Sequence, residues 1–141
     1  MQTGTSFTAL DLDPGDRFQR LRDALGVETF GLNLLRFEPG QRSRIHRHEH
    51  QEEVYLVLQG TLTLAVEGEE RVLRTGELAR VAPDLRRQLI NRHPQPLRIV
   101  ALGGAKPHEG RDGRAYTSWE ETGDGRTPLD VPFPDDVPVE G

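Results

Sequence analysis

Cysteine is absent from this chain, which excludes disulfide staples and thiolate metal sites alike. Any metal must therefore be held by nitrogen and oxygen ligands. Bulky core fillers are scarce too: one Trp, one Met and 6% aromatic residues, against 15 Gly and 10 Pro in 141 residues. That balance argues against a helical bundle and for many turns joined by short elements, an all-β domain. No apolar stretch is long enough to cross a bilayer, and Met1–Leu10 lacks the basic start and apolar run of a signal peptide. A soluble, cytoplasmic protein with no membrane partner is the expectation. A dense basic stripe is also missing. The formal net charge is −5, and residues 120–141 hold seven acids against one Arg, so the remainder is close to neutral. Nucleic acid is therefore not an expected partner, whereas a small-molecule ligand is.

What the chain does have is punctuation. Asp13-Pro14-Gly15-Asp16 has the form of a helix start, with Asp13 as N-cap and Pro14 in the first turn. Phe18, Leu21 and Leu25 then recur at helical spacing and Gly26 can end the run, although an added edge strand fits the same stretch. From Phe30 the period changes to two, and Pro39-Gly40 stops it. Short strands are expected at 44–48, 53–59, 61–66, 70–74, 77–81, 88–92 and 97–102, punctuated by Gly60, Gly68, Gly76, Pro83 and Pro94-Gln95-Pro96. That spacing means a sandwich or barrel, with Val66-Glu67-Gly68-Glu69 as the tightest hairpin.

The chain thus divides into an N-terminal extension (1–29), a barrel (30–103), a peripheral loop and strand segment (104–126) and an acidic, proline-rich tail (127–141). In the peripheral segment, Lys106–Gly113 is polar and turn-rich, and Ala115–Trp119 can form one more strand. The tail carries four prolines, so it cannot be a central strand. It is either disordered or an arm laid over the barrel with Phe133 as its large apolar anchor, and its removal is expected to leave the barrel folded.

The chemistry is concentrated in one stretch, from Gly40 to Gly60. Side chains alternate faces along a strand, so His46 and His48 point one way and Arg47 the other. Two imidazoles with a nearby carboxylate form a facial set that leaves metal positions open for water or substrate. His50 and Glu52 stand next to this set and Tyr55, Leu64 and Val66 read as barrel lining. His93 precedes Pro94 in a turn and His108 lies in a polar loop, and neither is expected to act.

The stretch resembles the first motif of the cupin superfamily: Gly40, five residues, His46-x-His48, four residues, Glu53, six residues, Gly60. The resemblance selects Glu53 over Glu52, and His46 with His48 over the pair His48 and His50, leaving His50 and Glu52 as rim groups. Gly76 and Asn91 align with the ends of the family's second motif, with Ala82 and Asp84 where that motif has Pro and Gly. Arg87 falls where it has its fourth metal ligand, a histidine. A guanidinium stays protonated and cannot ligate a cation.

The resemblance covers about residues 30–102 and implies a double-stranded β-helix, a jelly-roll barrel with a short N-terminal helix and an extended C-terminal tail. It also implies a divalent metal (Fe, Mn, Ni or Zn) on His46, His48 and Glu53, with Arg87 and Tyr55 as substrate contacts. The implied function is that of a metal-dependent enzyme, an oxidoreductase of the dioxygenase kind or an isomerase, on a small anionic or oxygenated substrate. The alternative is a binding or sensing barrel without turnover, metal-free, with Arg87 anchoring an anion. A homodimer is expected, since small cupins pair through exposed sheet edges that must otherwise be blunted.

Overall fold

Residues 4–105 and 112–140 are described by the computed structural model, and His108, with most of the polar segment before Gly113, lies outside them. The described residues form ten strands: β1 (Phe18–Gln19), β2 (Gly31–Phe37), β3 (Ile45–His48), β4 (Glu52–Gln59), β5 (Leu62–Val66), β6 (Glu69–Leu73), β7 (Leu78–Val81), β8 (Arg87–Ile90), β9 (Leu97–Gly104) and β10 (Gly113–Tyr116). They form two antiparallel five-stranded sheets, ordered β1-β2-β9-β4-β7 and β10-β3-β8-β5-β6. This is the expected all-β jelly roll. No helix among the described residues is long and apolar enough to cross a membrane.

The strand period decides what faces inward. Cross-strand rows Leu35–Ile99–Val57 and Phe37–Leu97 on the first sheet meet Leu64–Leu89 and Leu62–Leu73 on the second. All belong to one buried apolar cluster, which fills most of the barrel. At one end the rows turn polar: His46, Arg87 and Val66 on one sheet, and Gly31, Gly103, Glu53 and Val81 on the other. Turns fix these registers. Glu67 and Gly68 both have positive φ (49° and 85°), as a two-residue hairpin between β5 and β6 requires. Gly60, at φ +83°, lets β4 turn beneath the Pro96 carbonyl, which any Cβ there would strike. Asn91 is fully buried, donating to the carbonyls of Phe37 (3.1 Å) and Gln95 (2.8 Å) and accepting from the His93 amide (3.0 Å).

The N-terminal segment corrects one expectation. Among the described residues the α-helix is one short turn, α1 (Leu21–Leu25), with Arg20 at its N-cap, so Asp13 does not cap it and Pro14 lies outside it. Arg36 and Arg98, neighbours on the outer face of the first sheet, capture the carbonyls of Asp16, Asp11 and Leu12 at 2.8–2.9 Å. Held in this way, the chain stays non-helical, with bends at Asp13-Pro14 and Arg17, until Phe18 and Gln19 pair with Leu35 and Leu34 as an edge strand. Gly26 does end α1, in the left-handed conformation (φ 74°).

The C-terminal tail is an arm on the barrel. After a 3-10 turn at Pro128–Asp130, Val131 is buried (3% exposed) and Phe133 lies between the guanidinium groups of Arg17 and Arg44, 4.4 and 4.1 Å from its ring centre. Arg44 donates to the Val131 carbonyl, Arg42 to that of Asp135, and the amides of Val137 and Glu140 bond the carbonyls of Gly40 and Arg92. Deleting residues 127–141 should leave the strand signal in far-UV circular dichroism but lower the unfolding free energy in urea by about 2–4 kcal/mol, the scale of one buried valine and several hydrogen bonds. An unchanged urea midpoint would show the arm to be undocked in solution.

Candidate metal centre

Adjacent strands build the centre. His46 and His48 project from β3, which is held between β8 and β10 in the second sheet. Glu53 projects from β4 opposite them, next to Gly103, where a Cβ would come within 2.8 Å of the Gln51 side chain. One ligand atom from each of His46, His48 and Glu53 lies within 4.8 Å of the others. Glu53 Oε1 is 3.8 Å from His46 Nε2 and 3.3 Å from His48 Nε2. The imidazole rings stand edge to face at 5.6 Å.

Hydrogen bonds on the far side of each ring decide what faces the carboxylate. His46 Nδ1 lies 3.0 Å from the Arg44 carbonyl, and His48 Nδ1 lies 2.8 Å from Asp112 Oδ1. Both partners only accept, so each Nδ1 carries the proton and each neutral ring turns a bare Nε2 inward. His48 Nε2 is buried with no hydrogen-bond partner. Two nitrogen lone pairs and a carboxylate oxygen thus converge, and only a cation between them, a proton or a metal ion, relieves the repulsion. Separations of 3.3 and 3.8 Å suit neighbouring ligands on one ion with bonds of about 2.0–2.2 Å. The donor set fits a divalent metal with nitrogen and oxygen preference.

Arg87 stands in the same inward row, paired in register with His46, and is fully enclosed (0% exposed). Its Nη1 donates to the Leu85 and Pro83 carbonyls at 2.5 and 3.1 Å, and its Nε lies 3.5 Å from Glu53 Oε1 and 3.3 Å from the Tyr55 hydroxyl. Tyr55, 1% exposed, donates its O–H to Glu53 Oε1. Strand alternation sends Arg86 the opposite way, onto Glu67 and over the Tyr116 and Trp119 rings. Glu52 is exposed and paired with Arg80 (2.6 Å), and the His50 backbone amide donates to Asp112, which supports the centre.

Sequence reasoning missed Asp112. Its carboxylate is buried and accepts four hydrogen bonds of 2.7–2.8 Å, from His48 Nδ1, the amides of His50 and Gln51, and the Gln51 side chain. It stands 64 positions from His48 and comes beside it because β10 pairs with β3, Gly113 opposite His48. A lone Asp in a polar, turn-rich stretch carries no spacing signal that would have found it.

These contacts set the protonation of the centre. Burial alone would raise the Glu53 carboxyl, but once the His46 and His48 rings are protonated on both nitrogens their N–H groups and charge outweigh it and hold its pKa well below the usual range. Burial alone would lower His48, but Glu53 and Asp112 outweigh it and raise its pKa. Burial, then the Glu53 charge, push Tyr55 well above its ordinary value, so its hydroxyl keeps its proton. A groove of about 720 Å³ opens along the seam between edge strands β6 and β7. Its floor includes Val66 and Val81, the cross-strand neighbours of Arg87 and Glu53.

For the metal-free protein these shifts act in opposite pH ranges. The Glu53 contribution to stability is present above about 4.5 and lost as pH falls through its depressed folded value. The His48 contribution is present below 6.5 and lost as pH rises through its raised folded value. The thermal midpoint in chelator should therefore decline on the alkaline side, and His48→Gln should flatten that limb. An equally steep limb in the variant would mean that His48 is not the titrating group.

Comparison with known proteins agrees with this geometry. The family model of the cupin domain matches residues 33–103, half of the chain. A sugar phosphate isomerase of the cupin superfamily from Silicibacter pomeroyi is 31% identical, with TM-score 0.59 over 70% of this chain and 69% of its own. A protein described as a candidate sugar phosphate isomerase from Acidithiobacillus ferrooxidans is 27% identical, with TM-score 0.58 over 62% of this chain, which spans only 57% of that protein's length. A cupin protein from Bacteroides fragilis, 20% identical, matches in fold with TM-score 0.65 over 86% of this chain and 98% of its own. No curated protein matches.

Proposed function

We propose, from the premise that this chain belongs to the cupin family, that it is a metal-dependent isomerase acting on a small, anionic, oxygenated substrate of the sugar phosphate kind. The observation that carries this reading is the convergence of two bare imidazole nitrogens and one carboxylate at one end of the barrel. The names of the two isomerase neighbours favour isomerisation over dioxygenation.

In this reading His46 Nε2, His48 Nε2 and the Glu53 carboxylate hold a divalent ion, Fe, Mn, Ni or Zn. The ion supplies Lewis acidity, which polarises a substrate carbonyl and acidifies the adjacent C–H. The chain's own groups prepare the place. Tyr55 keeps a proton on its hydroxyl and donates it to Glu53 Oε1, holding the carboxylate in one orientation. Arg87 offsets the Glu53 charge and limits how tightly the ion is drawn in. Both therefore serve the substrate through Glu53, from behind the surface it touches.

A second reading, a metal-free binding barrel without turnover, draws on the nearness of the Arg87 guanidinium to Glu53, which could replace the ion. Titration separates the two. The parent should bind Mn(II), Ni(II) or Zn(II), and His46→Ala or Glu53→Ala should abolish binding. Arg87→His removes a fixed positive charge and adds an imidazole. At an effective dielectric of about 20 a charge several Å away costs on the order of 1 kcal/mol or more, so affinity should rise about tenfold. Loss of metal binding in none of the variants would sink the site. Deuterium wash-in next to the carbonyl of sugar phosphates in D₂O tests the reaction, and metal binding with no exchange on any of them would leave a non-catalytic barrel.

We also infer a homodimer. Edge strands β6 and β7 carry outward apolar side chains, with Val72 51% and Leu78 62% exposed, next to unpaired backbone. Sedimentation equilibrium at micromolar concentration should give twice the chain mass of 15.9 kDa, and Leu78→Lys should shift it toward monomer. A monomeric parent would refute this.

A further inference from the structure

A carboxylate that accepts four hydrogen bonds is doing more than filling a loop. Asp112 Oδ2 takes the amides of His50 (2.7 Å) and Gln51 (2.8 Å), which fixes the direction of the carboxylate against rigid backbone just beyond β3. That leaves Oδ1 toward His48 Nδ1 (2.8 Å) and the Gln51 side chain (2.8 Å). The Asp112 carbonyl also accepts from the Glu49 amide (3.1 Å), and the next residue, Gly113, opens β10 opposite His48. Asp112 lies outside residues 33–103, the span the cupin domain accounts for.

We infer that Asp112 is a positioning residue for the metal centre: it locks His48 in the Nδ1–H tautomer and in the one ring orientation that presents Nε2 to the site. The inference rests on the reading of His46, His48 and Glu53 as metal ligands. Without Asp112 nothing at Nδ1 obliges the ring to carry its proton there, and a ring protonated at Nε2 cannot ligate. The chemistry of Asp112→Asn is especially informative. The His50 and Gln51 amides demand an acceptor, so the new amide turns its oxygen to them and its NH₂ group to His48, and the Gln51 side chain, which donates to Oδ1 in the parent, must turn its own oxygen to that NH₂ group. Facing a donor, Nδ1 must accept, and the proton moves to Nε2. The variant is thus expected to present N–H where the parent presents a lone pair.

The test begins with the metal-free parent at alkaline pH, where the imidazole is neutral. Long-range ¹H–¹⁵N correlation of the His48 ring should show the proton on Nδ1 in the parent and on Nε2 in Asp112→Asn. Zn(II) binding by calorimetry should be weaker in Asp112→Asn by about 10–100-fold, with thermal midpoint and near-UV circular dichroism showing the fold retained. Asp112→Glu, which keeps an acceptor, should retain the parent's Nδ1 proton. A parent with the proton on Nε2, or an Asp112→Asn protein that keeps both Nδ1–H and parental affinity, overturns the inference. The tautomer measurement on the parent stands even if Asp112→Asn does not fold. If the parent binds no metal while the tautomers behave as described, the proposed function falls and with it the role toward a metal, and what survives is the lock that Asp112 places on the His48 tautomer.

Discussion

Glu53 sits mostly out of water, and a buried carboxylate is costly unless donors or cations surround it. Here it is met by two imidazoles from β3, a phenol from its own strand β4 and a guanidinium from β8. Much of the polar end of the barrel follows from that need. Tyr55 and Glu53 lie on one face of β4 because they are two positions apart, and β8 places Arg87 opposite His46. Replacing the carboxylate would leave Arg87 enclosed without its counter-charge, so the pair stands or falls together.

Arg87 also explains how the centre departs from a four-ligand arrangement without collapsing. A fixed cation beside Glu53 already balances much of its charge, which lowers the drive to bind a second cation. The Nε2 atoms pull the other way, and that of His48 is buried with no hydrogen-bond partner among the described residues. The balance between these opposing effects, more than any one distance, sets whether the barrel holds its ion loosely or tightly.

The same barrel is braced from outside by arginines. Arg36 and Arg98 hold the N-terminal segment through backbone carbonyls, and Arg42 and Arg44 hold the C-terminal arm in the same way. A guanidinium has several donors in one plane, so it can tie irregular chain to a sheet without requiring a complementary side chain. This device lets both extensions pack although they contribute little large apolar surface.

The strand positions, the shared face of His46 and His48, and the hairpin at Glu67-Gly68 were legible in the residues, because alternation and turn chemistry are local properties. The Gly40-to-Gly60 spacing singled out the same carboxylate that the barrel turns inward, and the frame from Gly76 to Asn91 put Arg87 beside it. What local pattern could not reach were the decisions made by contacts distant in the chain. The Asp13-Pro14 start has good helix chemistry, yet Arg36 and Arg98 use the carbonyls nearby and the stretch is not helical. The tail could be read as free or docked, and only the distant partners Arg17, Arg42, Arg44 and Gly40 decide for docking. Asp112 is the clearest case: one carboxylate in a polar segment, it gains its role only when β10 pairs with β3 and brings it beside His48. Periodicity encodes which face a residue takes, and only the folded sheet determines what that face meets.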